Sequence, residues 1–302
     1  MTTFNVNNSY LCYDNEIENE YYSANIVKLI KQILTNNVDL NINIIFTNKN
    51  VNYTFDNSNK TLRMIINYEH TLVKKGGRDT NNSIDGKIMD DNGNFYLVRI
   101  DRFDELNAAD IIIDYSIPNI HNVNSSNLFN EFSKKHIYIY SSLYDKYHVK
   151  ENRNIQSLTT FINTNEPRRK LLLENIQNDK RIEHININNC FNKNDLQNLY
   201  KKTKLMINIH QTDHHHTFEE LRVLPALQCG VIVISEISPL NELIPYNEYI
   251  IWSTYDNIIE KANEVLNNYD YYHDLIFNNN NKNLDEFNNI NYDTLCERIK
   301  FF

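Results

Sequence analysis

Short apolar runs and a segment with helical periodicity alternate in the second half of this chain. Leu205–Ile209, Val231–Ile234 and Tyr249–Trp252 are continuous apolar runs rather than alternating ones. Such runs are typical of parallel strands that are covered on both faces. Between the first two, Phe218–Gln228 carries apolar residues at helical spacing and is followed by the pair Cys229–Gly230, which suits a helix end. The pattern predicts a βαβ unit, in which ligands bind beyond the carboxyl ends of the strands.

The start of this predicted helix carries a local signal. Thr217 precedes it and Glu220 follows three residues later, which is the spacing of a capping box. Pro225 lies inside the same segment and predicts a kink, because proline has no backbone N–H to donate.

The alternation of strands and helices extends over the whole chain and predicts the fold class α/β. Further strands are predicted at Ile42–Phe46, Leu62–Ile66, Phe95–Ile100, Ala109–Ile113, Ile137–Tyr140, Leu158–Ile162 and Ile182–Ile187. Helices are predicted at Tyr21–Leu34, Leu128–Lys134, Leu171–Ile176, Asp195–Lys201 and Tyr255–Tyr269. The charged stretch Asp145–Ser157 lacks periodicity and suits a crossover between domains. We therefore expect two α/β domains, residues 1–148 and 149–302, that face each other across a cleft.

Composition narrows the class of protein. The chain has 302 residues, a formal net charge of −9 and only 4 scattered cysteines. This charge argues against a general nucleic-acid binder, and the cysteines favour a reducing compartment. The first residues lack the features of a signal peptide, and no apolar run is long enough to span a bilayer, so we expect a cytoplasmic protein. The abundant Asn, Lys, Ile and Tyr have AT-rich codons, which indicates an AT-rich genome such as that of a protist, a giant virus of amoebae or some bacteria.

Two positively charged segments are candidates for binding phosphate. Arg168 and Arg169 open a predicted helix directly after a strand, with Pro167 in its first turn, and a helix N-terminus with arginines suits phosphate oxygens. Arg222 follows Glu219 by three residues in the predicted helix Phe218–Gln228, so the two side chains share one face of that helix. The alternative interpretation of the two adjacent arginines is a solvated face.

The candidate catalytic residues are Glu69 and His70 in the first domain. They follow a predicted strand and begin the polar segment Asn67–Arg78, which contains Gly76 and Gly77. Adjacent glycines permit close approach of a ligand or of another backbone. The alternative interpretation is a flexible surface turn.

The loop His210–His216 contains Asp213 followed by three consecutive histidines. Consecutive histidines in a short loop do not readily face one ion, and the chain has no HExxH motif. No metal site is therefore predicted. His210, at the strand end, is the member of this loop that we expect to contact a ligand.

The second half resembles a known family. The run from Glu219-Glu220-Leu221-Arg222 through Ala226-Leu227-Gln228-Cys229-Gly230 to Ile234-Ser235-Glu236 resembles the donor-binding segment of GT-B-fold glycosyltransferases, closest to the group-1 and spore-maturation-type branches. The run Thr160–Arg169 similarly resembles the start of their donor domain. The first half resembles them only in its predicted architecture.

The resemblance implies two Rossmann-like domains and a transferase that uses no cofactor. We expect its nucleotide-sugar donor to be a substrate held by the candidate residues Arg168, Arg169, His210, Glu219, Arg222 and Glu236, and we expect no metal to take part. The chain departs from the family pattern in one respect. Many group-1 members carry a pair of glutamates, and this chain has Thr217 and Pro225 at the two corresponding positions. The ribose-binding role of the second glutamate therefore has no place on Pro225, and Glu219 or Glu236 is the available substitute.

We therefore interpret the chain as a metal-independent glycosyltransferase. It would move a sugar from a nucleotide-sugar donor to a hydroxyl of a glycan, protein or small-molecule acceptor, with Glu69 or His70 as base or acceptor-orienting group. Two alternatives remain open. One is a degenerate GT-B-like binding or scaffold protein, favoured by the missing glutamate. The other is a different nucleotide-sugar enzyme, against which the chain lacks GxGxxG and GxxxxGK motifs.

Overall fold

The computed structural model of this chain describes residues 1–49, 51, 53–77, 83–89, 93, 95–143, 153–278, 284 and 286–302. Within these residues the chain forms two larger sheets, one in each half of the sequence, and a small third sheet.

The first half is built on a six-stranded sheet with helices packed on it. Its strands, in chain order with those of the small sheet, are β1 Thr2–Val6, β2 Ser9–Tyr13, β3 Ile42–Phe46, β4 Lys60–Asn67, β5 Leu72–Lys74, β6 Ile84–Met89, β7 Phe95–Val98, β8 Ile111–Asp114 and β9 His136–Tyr138. The large sheet has the order β1-β2-β3-β4-β8-β9 and is parallel except for the β1–β2 hairpin. The helices are α1 Tyr21–Asn36, α2 Phe103–Asn107, α3 Ile117–Ser125 and α4 Asn130–Lys135.

The small sheet is antiparallel, with the order β5-β7-β6. It lies in the part of the chain between β4 and β8, which includes the predicted strand Phe95–Ile100. Tyr96 and Leu72 are buried between this sheet and the rest of the molecule.

The second half is built on a five-stranded sheet that is parallel throughout. Its strands are β10 Ile155–Thr159, β11 His184–Asn186, β12 Thr203–Asn208, β13 Ile232–Glu236 and β14 Ile250–Ser253, in the order β11-β10-β12-β13-β14. Its helices are α5 Pro167–Asn178, α6 Lys193–Lys201, α7 Glu220–Gln228, α8 Ile258–Asn267, α9 Tyr269–His273 and α10 Phe287–Lys300. The predicted fold class, two Rossmann-like α/β domains, is therefore confirmed.

Four apolar residues from the predicted strands of the second half differ in how far they are buried and in whether they lie within a strand. Ile207 and Val233 are buried in β12 and β13, as expected. Phe161 is buried too but lies beyond the end of β10, and Ile251 in β14 is only half-buried.

The predicted capping box at Thr217 is wrong. Helix α7 begins at Glu220 with Glu219 as its N-cap residue, and no side chain caps it. The Thr217 hydroxyl instead donates to Asn119 Oδ1 at 2.8 Å and accepts from the backbone N–H of Leu72 at 3.3 Å. Partners from the first half of the chain thus replace the local bond that the pattern predicts.

The two halves share one hydrophobic core. A single cluster of buried residues includes Leu11 and Leu29 from the first half and Leu205 and Leu227 from the second. Helix α10 also returns to the first half, where the Asn291 side chain bonds the backbone N–H and carbonyl of Tyr140 at 2.8 and 2.9 Å. The predicted boundary between residues 148 and 149 lies outside the described residues and stays a prediction.

Backbone carbonyls in the first turn of α7 accept hydrogen bonds from side chains of the first half. Ser141 Oγ donates to the Glu220 carbonyl at 2.8 Å, and the Tyr21 hydroxyl donates to the Leu221 carbonyl. The carbonyl of Leu221 is the one that the missing N–H of Pro225 leaves without a helical partner. Pro225 therefore leaves the Leu221 carbonyl without a helical partner, and the Tyr21 hydroxyl of the first domain donates to it.

The side chain of Glu220 also joins the two halves. Its carboxylate accepts from Tyr138 Oη at 2.7 Å, from Tyr246 Oη at 2.6 Å and from the backbone N–H of Ile117 at 3.3 Å. The residue is fully buried. Burial raises the pKa of this carboxyl group to about 8, although the two tyrosine hydroxyls act in the opposite direction.

We expect Tyr21→Phe to destabilise the protein by about 0.5–1.5 kcal/mol, because it leaves the half-buried Leu221 carbonyl without this donor. Tyr200→Phe is the matched control. The Tyr200 hydroxyl donates to the Arg222 carbonyl at 3.2 Å, and that carbonyl has a helical partner available because Ala226 carries an N–H. Unfolding in urea measures both free energies, and an equal loss in the two variants would contradict this role of Pro225.

The Glu220 carboxyl also predicts a pH dependence of stability. Its pKa is higher in the folded protein than the ordinary value of 4.5, so the folded state binds the proton more tightly. Stability should then decrease as the pH rises from about 5 to about 8, by an amount on the order of a few kcal/mol. Unfolding at both pH values checks this in the wild type and in Glu220→Gln, which should lack this part of the decrease. An identical pH dependence in the two proteins would contradict the assignment.

Candidate functional site

A cavity of about 380 Å³ lies between the two domains at the carboxyl edge of the second sheet. We call it the interdomain cavity. The first half contributes its wall at the start of α1 and after β4, and the second half contributes residues that follow β10, β11 and β12. Its lining comprises Glu20, Tyr21, Tyr68, Glu69, His70, Thr160, Ile162, Ile187, Asn188, Cys190, Phe191, Leu196, Tyr200, Gln211, Glu219, Leu221 and Arg222.

The Glu219 carboxylate contacts side chains from both domains. One of its oxygens, Oε2, lies 3.3 Å from Arg222 Nη2 and 3.6 Å from His70 Nε2, and its side chain is 15% exposed. Burial alone would raise the pKa of Glu219, but the charge of Arg222, with contributions from His70 and Arg169, holds this pKa well below its usual range. The carboxylate is therefore ionised at neutral pH.

Two arginines at this position have donors without partners. Arg169 is 2% exposed and its guanidinium lies 4.7 Å from the centre of the Phe161 ring. Burial, reinforced by the charge of Arg222, lowers the pKa of Arg169 to about 10. Among the described residues, Arg169 Nε and Arg222 Nη1 are buried and have no hydrogen-bond partner. Thr160 Oγ1 and His70 Nδ1 share this property.

The charges around Glu219 do not balance. Arg169 and Arg222 supply two positive charges next to the single carboxylate of Glu219, and buried charge without a partner is unfavourable. The other two carboxylates of the cavity, Glu20 and Glu69, form no ion pair with either arginine among the described residues. An anion with several acceptor oxygens would neutralise the excess and satisfy the free N–H groups. The arrangement therefore suits a phosphate or diphosphate group.

Arg168 belongs to a second cluster. It forms a bidentate pair with Glu236, with Nη1 to Oε2 at 3.0 Å and Nη2 to Oε1 at 2.6 Å, and its Nε lies 2.6 Å from Asp213 Oδ1. The backbone N–H of His210 donates to Glu236 at 3.0 Å. The two carboxylates more than balance the single positive charge of Arg168, which leaves less attraction for a further anion than at Arg169 and Arg222.

The histidine loop, residues 210–216, bridges the domains. Its backbone extends the small sheet, because Lys74 N donates to the His214 carbonyl at 2.8 Å and His216 N donates to the Leu72 carbonyl at 3.1 Å. The rings of His210 and His216 stack with their centres 4.6 Å apart. Burial lowers the pKa of His210 and lowers that of His216 to about 3, so both rings are neutral at pH 7.

The pair Gly76–Gly77 predicts that another group approaches the backbone closely, and the histidine loop is that group. A Cβ atom on Gly77 would lie 2.6 Å from His214 Cγ, and Gly76 has a φ of +92°. Arg78, the last residue of the predicted segment, lies outside the described residues. In the part of the chain that the structure describes, no group of three His, Cys, Asp or Glu side chains is arranged to hold a metal ion.

The structure thus divides the predicted site residues into two groups. His70, Glu219 and Arg222 line the interdomain cavity, and Arg169 lies close enough to Arg222 and Glu219 to interact with their charges, whereas Arg168, His210 and Glu236 form the second cluster. Glu69 lies on the cavity wall but is 48% exposed, and its Oε2 is 3.9 Å from Arg99 Nη1.

Thr160 and Glu20 are two of the cavity residues that were not predicted as site residues. Thr160 directly follows β10, and its position at a strand end is the signal that would have indicated it. Glu20 precedes α1 in a polar stretch without a motif, and only the fold brings it to the cavity.

Two solved glycosyltransferases are similar to this structure. An alpha1,3-fucosyltransferase is 12% identical with a TM-score of 0.45, over 85% of this chain and 76% of that one. The catalytic domain of starch synthase IV from Arabidopsis thaliana, bound to ADP and acarbose, is 9% identical with a TM-score of 0.48, over 95% and 78%. Both belong to the class that the sequence resembles.

A relative in sequence identifies the family. The chain is 31% identical over 213 residues to uncharacterized protein R358 of Acanthamoeba polyphaga mimivirus. The matched region covers 66% of this chain and 70% of the mimivirus protein. The chain belongs to the family of this mimivirus protein. The relative supports a viral origin, one of the sources that the composition indicates. No family model matches the chain.

None of the helices among the described residues has the length and apolar character needed to cross a membrane.

We expect Arg222→Ala to weaken the binding of a nucleoside diphosphate by about 1.5–3 kcal/mol, as the loss of a charged hydrogen bond does. Calorimetric titration with UDP, GDP and ADP measures this change. Arg181→Ala is the control, since Arg181 is an exposed arginine paired with Asp179 and Glu260 on the surface. An affinity of Arg222→Ala equal to that of the wild type would show that Arg222 only holds Glu219.

Proposed function

We propose that this chain is a glycosyltransferase that moves a sugar from a nucleotide-sugar donor to an acceptor hydroxyl. One observation carries the proposal. Two arginines, Arg169 and Arg222, have buried donor atoms without partners at the carboxyl edge of a parallel sheet, beside a cavity that both domains line. A transferase of this class has to hold a diphosphate at one domain and present an acceptor from the other, and this arrangement suits both tasks.

The diphosphate is the leaving group, and its negative charge grows as the bond to the sugar breaks. Arg169 and Arg222 are proposed to stabilise that charge, together with the Thr160 hydroxyl, because preorganised donors are most effective where charge develops. In this proposal the guanidinium groups supply the positive charge, and the reaction needs neither a metal ion nor a cofactor.

The second cluster is proposed to contact other parts of the donor. Glu236 lines a further cavity of about 390 Å³ together with Tyr255 and Lys74, and a carboxylate there accepts hydrogen bonds from sugar or ribose hydroxyls. Arg168 fixes Glu236 by its bidentate pair. His210, which donates to Glu236 through its backbone, would help to position it.

The acceptor is proposed to approach from the first domain. Glu69 and His70 line the same cavity as Arg222, and His70 contacts Glu219 at 3.6 Å. Their proposed role is to orient the hydroxyl of a glycan, protein or small-molecule acceptor. The four cysteines are free thiols, which suits action in a reducing compartment, the host cytoplasm if the protein is viral.

A binding or scaffold protein of the same fold is the second candidate. Pro225 stands where a donor-binding glutamate is expected from the resemblance, and its helix is fastened to the first domain. Such a protein would bind a nucleotide sugar without turning it over.

A screen of nucleotide sugars separates these candidates. Thermal shift with UDP-, GDP-, ADP- and CMP-sugars identifies the donor, and release of the nucleotide with water or octyl glycosides as acceptors measures turnover. The proposed transferase stabilises with one class of donor and releases its nucleotide. Stabilisation without release would favour the scaffold, and the absence of both would contradict the proposed function.

We expect Glu69→Gln and His70→Ala to lower turnover far more than donor binding. Loss of the orientation of the acceptor should cost on the order of a hundredfold in kcat, whereas the donor contacts of Arg169 and Thr160 remain. Nucleotide release measures kcat, and calorimetry with the nucleoside diphosphate measures binding. Weaker donor binding with turnover preserved would remove both residues from the acceptor side.

A further inference from the structure

Glu20 places a carboxylate in the wall of the interdomain cavity. The residue lies between a 3-10 helix, Asn15–Asn19, and α1, and its backbone is extended, with φ −111° and ψ 130°. Its side chain makes no capping hydrogen bond to α1, although this is the usual use of a polar side chain at that position. Instead, Oε2 accepts from the Tyr68 hydroxyl at 2.7 Å.

Contacts of its neighbours in the chain and in the fold hold Glu20 in the same cavity as Glu219 and Arg222. Tyr21, the next residue, donates from its hydroxyl to the carbonyl of Leu221, which adjoins Arg222. The backbone N–H of Tyr21 donates to the Phe191 carbonyl at 3.1 Å, which anchors the same point of the chain to the second domain. Tyr68 is two residues before His70, whose ring contacts Glu219. Glu20 is thus fixed from both domains at once.

The three carboxylates of the cavity differ in their neighbours. Glu219 is held ionised by Arg222, and the depressed pKa makes it a weak proton acceptor. Glu69 is half exposed and lies beside Arg99. No cationic side chain among the described residues lies within ion-pair distance of Glu20.

The environment of Glu20 increases its affinity for a proton. Burial raises the pKa of this carboxyl group above its ordinary value, and the hydrogen bond from Tyr68 acts in the opposite direction. A general base works best when its pKa lies near the operating pH, so this direction of change favours Glu20 over Glu219.

We propose that Glu20 is the catalytic residue that accepts the proton of the acceptor hydroxyl, an inference that rests on the proposed glycosyltransferase function. In this step the acceptor oxygen forms a bond to the anomeric carbon, and the bond between that carbon and the diphosphate oxygen breaks. The electron pair leaves with the nucleoside diphosphate, and the proton of the hydroxyl goes to a carboxylate oxygen of Glu20. Tyr68 is a positioning residue that orients this carboxylate.

The first test is Glu20→Gln, which keeps the shape and an oxygen that accepts from Tyr68. We expect kcat to fall on the order of a hundredfold or more, with the Kd for the nucleoside diphosphate within twofold of the wild type. The wild-type rate should also fall toward acid pH as Glu20 becomes protonated, and this acid limb should be absent from the variant. Glu16→Gln, a change of an exposed carboxylate in the same 3-10 helix, is the control and should behave as the wild type.

The second test is Tyr68→Phe. Removing the hydrogen bond that stabilises the carboxylate raises the pKa of Glu20, so the acid limb of the rate should shift to higher pH. A purely structural role of Tyr68 would lower the rate equally at all pH values, and an unshifted acid limb would overturn the assignment.

The outcomes distinguish this proposal from the proposed function. A wild type that releases nucleotide and a Glu20→Gln variant of equal rate, or one that keeps the acid limb, overturn the role of Glu20 alone. A wild type that releases no nucleotide from any UDP-, GDP-, ADP- or CMP-sugar overturns the glycosyltransferase function and the role of Glu20 with it.

Discussion

The hydrogen bonds of the buried Glu220 carboxyl group are the interaction on which the arrangement of this molecule depends. This group accepts hydrogen bonds from Tyr138 and the Ile117 backbone in one domain and from Tyr246 in the other. A buried carboxyl group without these partners would be strongly destabilising, so the two domains are held in one relative position. Because Glu220 is the first residue of α7, the constraint also fixes its neighbours Glu219 and Arg222. The interdomain cavity is therefore formed before any ligand arrives.

A preformed cavity has a consequence for how the site acts. Arg169 Nε and Arg222 Nη1 are buried without a partner by the packing around them, and His70 and Glu219 already lie 3.6 Å apart. Preorganised donors stabilise developing charge without a cost of reorganisation during the reaction. The same contacts that join the domains thus explain why the charge imbalance around Glu219 persists in the folded protein.

Much of the second sheet follows from local pattern, whereas the partners of individual side chains do not. Val231–Ile234 was predicted as a strand and β13 spans Ile232–Glu236, because a continuous apolar run suits a strand buried on both faces. The helix start at Thr217 was wrong because its hydroxyl pairs with Asn119, 98 residues earlier. Arg168 and Arg169 were predicted as one group. Adjacent residues on a helix point about 100° apart, so one meets Glu236 and the other adjoins Arg222. Glu20 and Tyr68 meet only through the fold.

The central claim is that a diphosphate binds between Arg169 and Arg222. A crystal structure of the protein with the nucleoside diphosphate that binds it most tightly tests this claim directly. The account predicts phosphate oxygens within hydrogen-bond distance of Arg169 Nε and Arg222 Nη1, with the Arg168–Glu236 pair intact. A diphosphate bound instead to Arg168, with that pair broken and the donors of Arg169 and Arg222 still unpartnered, would contradict it.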